Sequence, residues 1–254
     1  MTPLVLLAVL CQTPAYTSAG IVNAASNAAG PLSPNTIATL YGTGMAFSTR
    51  AITGDDIRGN VLPTTLPNTG VRLFIAGLAT HLYYVSPTQI NFLVPSNLTP
   101  GTYDLELTLD GRRGPAVKVT LAGESPELFA GSAAGFVAAT FPDGAAVTAD
   151  RPAKAGDVVV IYATGLGRTN PDLPAGHLAS GAAGILRAAD FRCSLAGKLA
   201  DPPLYVGLTG GFAGLYQVNL KIPEGTPADP EVRIGIGEPS SIGLKLPVRP
   251  NPNQ

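Results

Sequence analysis

The sequence predicts an all-β chain of two antiparallel β-sandwiches in tandem, and three observations predict it. The first is an internal repeat. Residues 89–95 read QINFLVP and residues 217–223 read QVNLKIP, so Gln89, Asn91 and Pro95 are answered by Gln217, Asn219 and Pro223. Upstream, the stretch from Tyr41 to Gly44 is answered 121 positions later by Tyr162 to Gly165, and Ala76-Gly77 by Ala196-Gly197. A nearly constant offset across three landmarks describes two domains of about 100 residues, each large enough to bury its own core, and not a solenoid. The second observation is that turn residues recur about every 8–12 positions between short alternating strands, the spacing of an antiparallel sandwich. The third is composition: 30 Gly and 24 Pro among 254 residues interrupt any long helix, while 45% hydrophobic residues supply two cores.

Taken in order, the chain opens with an apolar run, Leu4 to Leu10, followed by small residues at Ala15, Ser18 and Ala19. This reads as a secretory leader over residues 1–19, cleaved after Ala15 or Ala19, although its start carries no Lys or Arg. Cys11 follows the run as a lipoprotein cysteine would, but the bulky Leu10 before it argues against lipidation. No apolar run approaches the roughly 20 residues of a spanning helix, so no transmembrane helix is expected.

The first sandwich is expected over residues 20–122. Thr36 to Tyr41 alternates with β-branched bias and is ended by Gly42 and Gly44. Strands follow at Val71–Ile75, Leu82–Val85 and Gln89–Val94, the last stopped by Pro95, which cannot donate to a ladder. Tyr103, Leu105, Leu107 and Leu109 share one face of the clearest strand, and Asp110-Gly111 supplies a hairpin turn answered by Val117–Leu121. Gly123 and Pro126 mark the junction. The second sandwich is expected over 126–249, with a hairpin around Pro142-Asp143-Gly144 and its strongest strand at Val158–Tyr162. Residues 168–189 read as loop, with a helical turn or two between Ala182 and Ala189. Gln217–Pro223 repeats the first module's strand, a final hairpin pairs Glu231–Ile236 with Ile242–Val248, and residues 250–254 form an unpacked tail.

Several stretches resemble a known family. VNAAS (22–26), SPNTIATLYGTGMA (33–46), LPTTL (62–66), LYYVSPTQINFLVPSNLTPGTYDLELT (82–108), RPAKAGDVVVIYATGLG (151–167) and GLYQVNLKIPEG (214–225) are similar to the uncharacterised C-terminal domain of secreted proteins from Solibacter-type acidobacteria. The resemblance covers nearly everything after residue 20. It implies an extracellular Ig-like or IPT/TIG-like double sandwich of unassigned function, usually attached behind other domains. Residues 125–129 and the 168–189 loop depart from the family's pattern.

Charge excludes one class of partner. Sixteen basic against 17 acidic residues give a net charge of −1, and charged residues make up 13% of the chain, about half the usual share. Without a basic stripe, nucleic-acid binding is not expected. Candidates for chemistry are few. His81 and His177 fall in different modules, with no further ligands at zinc spacing. Cys193 alternates with Phe191 and Leu195 and reads as a small buried strand residue. Asp55-Asp56 could contribute to a calcium site in a loop, but two adjacent carboxylates point apart and need further oxygens, so solvated turn residues are the plainer reading; no Gly-x-Ser-x-Gly elbow is present, and the glycine-rich stretch 207–214 lacks the Lys and helix of a phosphate loop. No cofactor, metal or catalytic set is therefore expected.

The amides of the repeat pose a specific question. Gln89 and Asn91 share one face of their strand while Ile90 and Phe92 share the other. Facing outward, the amides could line a ligand surface; facing inward, they must be hydrogen-bonded, since an unpaired buried amide costs about 1–3 kcal/mol. The inward placement, pinning a loop to the sandwich in both modules, suits a pair that recurs. The functional expectation is a non-enzymatic extracellular or cell-surface module, in adhesion, protein interaction or structural display, with self-association open. The alternative is a carbohydrate-binding module whose stacking residues would be Tyr83, Tyr84, Phe212 and Tyr216, aromatics that could equally serve the core.

Overall fold

A computed structural model describes residues 13–250. The first ten strands are β1 (Ala15–Asn23), β2 (Ile37–Thr43), β3 (Arg50–Ala51), β4 (Val71–Ile75), β5 (Leu78–Ala79), β6 (His81–Val85), β7 (Gln89–Leu93), β8 (Gly101–Leu109), β9 (Arg112–Arg113) and β10 (Val117–Leu121). They form two antiparallel sheets, ordered β1-β2-β7-β6-β3 and β10-β8-β4-β5, with β9 also paired to β8. Alternation explains how the sheets meet. Leu40, Leu82, Ile90 and Phe92 of one sheet and Leu73, Ile75, Leu105 and Leu107 of the other are fully buried in one core, as period-two strands with one apolar face require.

The remaining strands are β11 (Glu127–Leu128), β12 (Ala139–Thr140), β13 (Val158–Thr164), β14 (Thr169–Asn170), β15 (Gly184–Ile185), β16 (Phe191–Leu195), β17 (Lys198–Leu199), β18 (Tyr205–Leu208), β19 (Tyr216–Lys221), β20 (Glu231–Ile236) and β21 (Leu244–Lys245). One sheet is ordered β11-β13-β19-β18-β15-β14, with β12 also on β13, and the other β17-β16-β20-β21. Their facing sides enclose a second core around Val159, Ile161, Cys193, Tyr216, Val218 and Ile234. The repeat is therefore structural as well as textual: β2, β7 and β6 lie side by side as β13, β19 and β18 do, and β4 pairs β8 as β16 pairs β20. Ala76-Gly77 and Ala196-Gly197 both take positive φ, 52° and 76° against 49° and 77°. Two left-handed residues in succession match the twist of a tight hairpin.

Three expectations need correction. The first sandwich does not begin at residue 20: β1 starts at Ala15, inside the expected leader, and Tyr16 is buried with its hydroxyl accepting a 2.7 Å hydrogen bond from the Leu107 amide of the opposite sheet. Cleavage after Ala15 would spare that contact and cleavage after Ala19 would remove it. Leu4–Leu10 and Cys11 lie outside the described residues, as does all of the 250–254 tail but Pro250. Second, the stretch from Ala182 to Ala189 forms no α-helix but the short strand β15 and part of a 3-10 turn, Ala188–Asp190. Third, the final hairpin pairs only Glu231 and Val232 with Lys245 and Leu244, because residues 237–243 turn back over β20.

The two sandwiches meet in a third, smaller core of Leu62, Leu93, Leu178 and Ala213, with Ile37, Ile52, Ile57 and Tyr83 packed against it. The 168–189 loop closes this junction. Its Gly176 carbonyl accepts from the Leu62 amide at 2.9 Å, its Leu178 amide donates to the Asn60 carbonyl at 2.9 Å, and the Asn60 side-chain amide donates to the Leu178 carbonyl at 2.8 Å.

Candidate functional site

The repeated amides lie on the outer faces of their sheets. In β7 the strand alternation commits Ile90 and Phe92 to the core, which leaves Gln89 and Asn91 half-buried on the other side. Gln89 Nε2 donates to Asn91 Oδ1 at 2.9 Å, and Gln217 Nε2 to Asn219 Oδ1 at 3.0 Å. The expectation of inward-facing amides is thus corrected: the apolar partners on the opposite face win the core, and the amides satisfy one another along the strand. Tyrosines flank each pair. Tyr41 stands opposite Gln89 and Tyr84 opposite Asn91, while Tyr162 stands opposite Gln217 and Tyr205 opposite Asn219. Three of these four rings hold neighbouring segments, Tyr41 donating to Asn27 Oδ1 at 3.1 Å, Tyr162 meeting Thr140 Oγ1 at 3.2 Å and Tyr205 accepting from the Ala183 amide at 3.2 Å. Loop pinning does occur, but through tyrosines and not through the amides. Pro95 and Pro223 each follow their strand by two residues.

The four aromatics suggested for sugar stacking do not form a strip. Tyr216 is fully buried, its hydroxyl donating to the Gly167 carbonyl. Tyr83 lies in the junction, donating to the Ala213 carbonyl, and burial pushes its phenol well above the usual range. The cause of its placement is a register shift in β6 between Leu82 and Tyr84: a bulge re-aims the extra residue. Tyr84 is half-buried beside Asn91, and Phe212 is exposed on a separate loop.

The junction gathers several residues that sequence had scattered. Gly44 and Gly165 of the repeat both have positive φ, but only Gly165 serves the junction, where its carbonyl accepts from Ser33 Oγ at 3.0 Å. Thr164 is fully buried and bridges the modules, accepting from the Ile37 amide at 2.9 Å and donating to the Gly214 carbonyl at 2.8 Å. Gly214, from the glycine-rich stretch, approaches so closely that a Cβ would stand 2.4 Å from Leu93 Cδ1 and 2.6 Å from the Asn35 carbonyl. Within that stretch Gly214 and Gly207 are sites of close approach, whereas Gly210 and Gly211 face open space. The two histidines also meet here. His177 pairs with Val61 across the junction, and the ring of His81 covers Gly176, where a Cβ would fall 2.2 Å from Nε2. Burial, and secondarily the nearby His177, lowers the pKa of His81, whose Nδ1 has no hydrogen-bond partner.

The remaining candidates have ordinary placements. Among the described residues no group of three or more His, Cys, Asp or Glu converges as metal ligands would. Asp56 caps a short turn through the Thr53 amide at 2.8 Å and pairs with Arg50 at 2.7 Å, a pairing that holds its carboxyl below the usual range. Cys193 is buried in β16, and that burial pushes its thiol up to about 12.

One surface feature was missed in sequence. The outer face of β4 and β8 forms an open groove of about 910 Å³ whose floor carries Arg72, Phe74, Asp104, Glu106, Thr108 and Arg113. Register sets these side chains in rows: Arg72 opposite Thr108, Thr108 opposite Arg113, and Phe74 opposite Glu106. Arg113 pairs with Glu106 at 3.2 Å, and Lys118 beside the groove pairs with Asp104 at 2.8 Å. Since Val71, Leu73 and Ile75 face the core, alternation alone assigns Phe74 to the outside, and an aromatic on a polar face was the available signal.

No protein-family model and no curated protein matches the chain. Among solved structures, similarity extends to the Bacteroides ovatus mixed-linkage glucan utilization locus protein SGBP-B in complex with a mixed-linkage heptasaccharide, at 13% identity over 86% of this chain and 43% of that one, with a TM-score of 0.36. The surface glycan-binding protein PbSGBP-B of Prevotella bryantii aligns at 12% identity over 92% of this chain and 41% of that one, TM-score 0.26. The I9–I11 tandem of titin aligns at 7% identity over 94% and 66%, TM-score 0.24. The chain thus spans less than half the length of the two glycan-binding proteins.

Proposed function

We propose that this chain is a non-enzymatic β-sandwich module that works outside the cell or at its envelope, in adhesion, protein interaction or structural display. The observation that carries the reading is the junction. A buried apolar cluster and hydrogen bonds from both modules join the sandwiches into one unit, with outer sheet faces left for a partner. A linker between independently acting domains would ordinarily be polar and sparse in contacts. The leader-like start, low charge and resemblance to the Solibacter-type domain support an exported setting, and we extend the family assignment to this chain on those quoted motifs.

Carbohydrate binding is the second reading, favoured by the β4–β8 groove and no longer by the tyrosines first suggested for it. The test uses the labelled full chain on envelope fragments from the source organism. Saturable binding abolished by protease treatment of the fragments identifies a protein partner, and binding abolished by periodate identifies a glycan. Absence of saturable binding contradicts the binding-module reading.

A further inference from the structure

We infer that the groove on the β4–β8 face of the first sandwich is a binding site for a neutral glycan chain, an inference that rests on the second reading above and assigns its site and ligand class.

The internal repeat supplies the comparison that isolates this face. In the second sandwich the equivalent of Arg72 is Arg192, of Phe74 is Ser194, of Glu106 is Arg233 and of Thr108 is Gly235, by the register of β16 on β20. That face is covered over most of its length, with Arg192 at its end left exposed. Ser194 is buried, Arg233 Nη1 donates to the Ser241 carbonyl at 3.1 Å, and a Cβ on Gly235 would stand 1.7 Å from the Glu238 carbonyl. One copy of the scaffold has thus folded its last loop over the face, while the other leaves it open with an aromatic ring on its floor. Both copies share the demands of folding, so a feature confined to one of them calls for a reason beyond the fold.

The chemistry of the floor points to a polyhydroxylated ligand. Phe74 offers a half-exposed ring against which the C–H face of a pyranose can lie. Around it stand guanidinium and carboxylate groups, planar and able to make two hydrogen bonds at once, the geometry that vicinal hydroxyls satisfy. Their charges nearly cancel, Arg72 and Arg113 against Asp104, Glu106 and the rim's Asp110, so the groove offers no field to attract a polyanion or polycation. Its volume lies in the range of specific ligand sites. The turns at Gly77 and Gly111 that border it have open space where a side chain would stand, so a polymer longer than the groove can continue past both ends. A peptide strand is disfavoured as occupant: β8 is paired on both sides by β10 and β4, and β5 covers the edge of β4 at Phe74 and Ile75, which leaves only the short Val71–Leu73 stretch of β4 without a strand beside it, too little for β-augmentation along the floor.

The experiment is native affinity electrophoresis of the full chain in gels containing soluble neutral polysaccharides (mixed-linkage β-glucan, xyloglucan, galactomannan or dextran), with polygalacturonate as the anionic comparison. At least one neutral polysaccharide is expected to retard the wild type. Phe74→Ala should weaken that retardation at least about tenfold, as loss of an aromatic anchor does. Arg72→Ala, a surface change that leaves the core intact, should weaken it in the same direction, and Arg192→Ala on the largely covered face should leave it unchanged. Retardation that survives both Phe74→Ala and Arg72→Ala, or that falls equally with Arg192→Ala, overturns the groove as the site while leaving glycan binding intact. Retardation by polygalacturonate alone, or by none of these polymers, overturns the neutral-glycan inference, and the envelope-binding test then decides separately whether the module binds a protein.

Discussion

Thr164→Val is the sharpest probe of the junction because it changes almost no volume. The hydroxyl it removes is fully buried, accepts the Ile37 amide of the first module at 2.9 Å and donates to the Gly214 carbonyl of the second at 2.8 Å. The methyl that replaces it can do neither. An unsatisfied buried donor or acceptor costs about 1–3 kcal/mol. With two such groups, and the carbonyl the more tolerant of them, the expected loss is about 2–4 kcal/mol. For a unit of this size that corresponds to a Tm lower by on the order of 10 °C. The assay is calorimetric melting of the full chain, with Thr43→Val as the internal comparison: Thr43 is the repeat's equivalent residue and is exposed, so its loss should change stability by no more than about 0.5 kcal/mol. Equal Tm values for the two variants would refute the reasoning, since the hydroxyl at the junction would then carry nothing that an exposed one does not.

Three further outcomes follow from the same contacts. Tyr16→Phe removes the acceptor of the Leu107 amide and should lower stability by about 1–3 kcal/mol in urea titration; an unchanged midpoint would show that β1 does not close the first sandwich. Asn219→Leu breaks the half-exposed Gln217–Asn219 bond, where water can replace the lost partner, so stability should fall by about 0.5–1.5 kcal/mol and Tm by less than for Thr164→Val, and no change would remove the amide pair from the stabilising contacts. Because the pKa of His81 is lowered in the fold by burial and by His177, the unfolded chain binds the extra proton more readily; the stability present above the ordinary value of 6.5 should be lost progressively as pH falls below it. Melting curves across that window should drop in the wild type and flatten in His81→Phe, and identical profiles would contradict the coupling.

How much of this was legible depended on whether the signal was local. The alternation of Leu105, Leu107 and Leu109 and the matching Ala-Gly turns specify strands and hairpins from neighbours alone, and β8 and both turns occur where they were expected. The repeat itself fixed the equivalence of β7 and β19. The amides were misassigned although the information was present: with Ile90 and Phe92 on one face, the other had to be the outer one. Tyr83 was beyond reach, since a bulge breaks the period on which the reading relied. The meeting of His81 and His177 joins residues about 100 positions apart through the 168–189 loop, whose Pro and Gly content carries no periodic signal, and the bridge from Thr164 to Ile37 joins the end of β13 to the start of β2 across 127 positions. The groove divides in the same way. Phe74 on a polar face could be read from alternation, but the covering of its counterpart by residues 237–243 depends on how that loop returns across β20.

The claim on which the functional account depends is that the two sandwiches form one rigid unit. Residual dipolar couplings measured on the full chain test it directly, by fitting an alignment tensor separately to amides of β2, β4, β7 and β8 and to amides of β13, β16, β19 and β20. A locked junction predicts a single tensor, equal in magnitude and orientation for both sets in the frame of the structure. Tensors of different magnitude would mean that the sandwiches reorient independently, and the junction could then not be what holds the binding face in place.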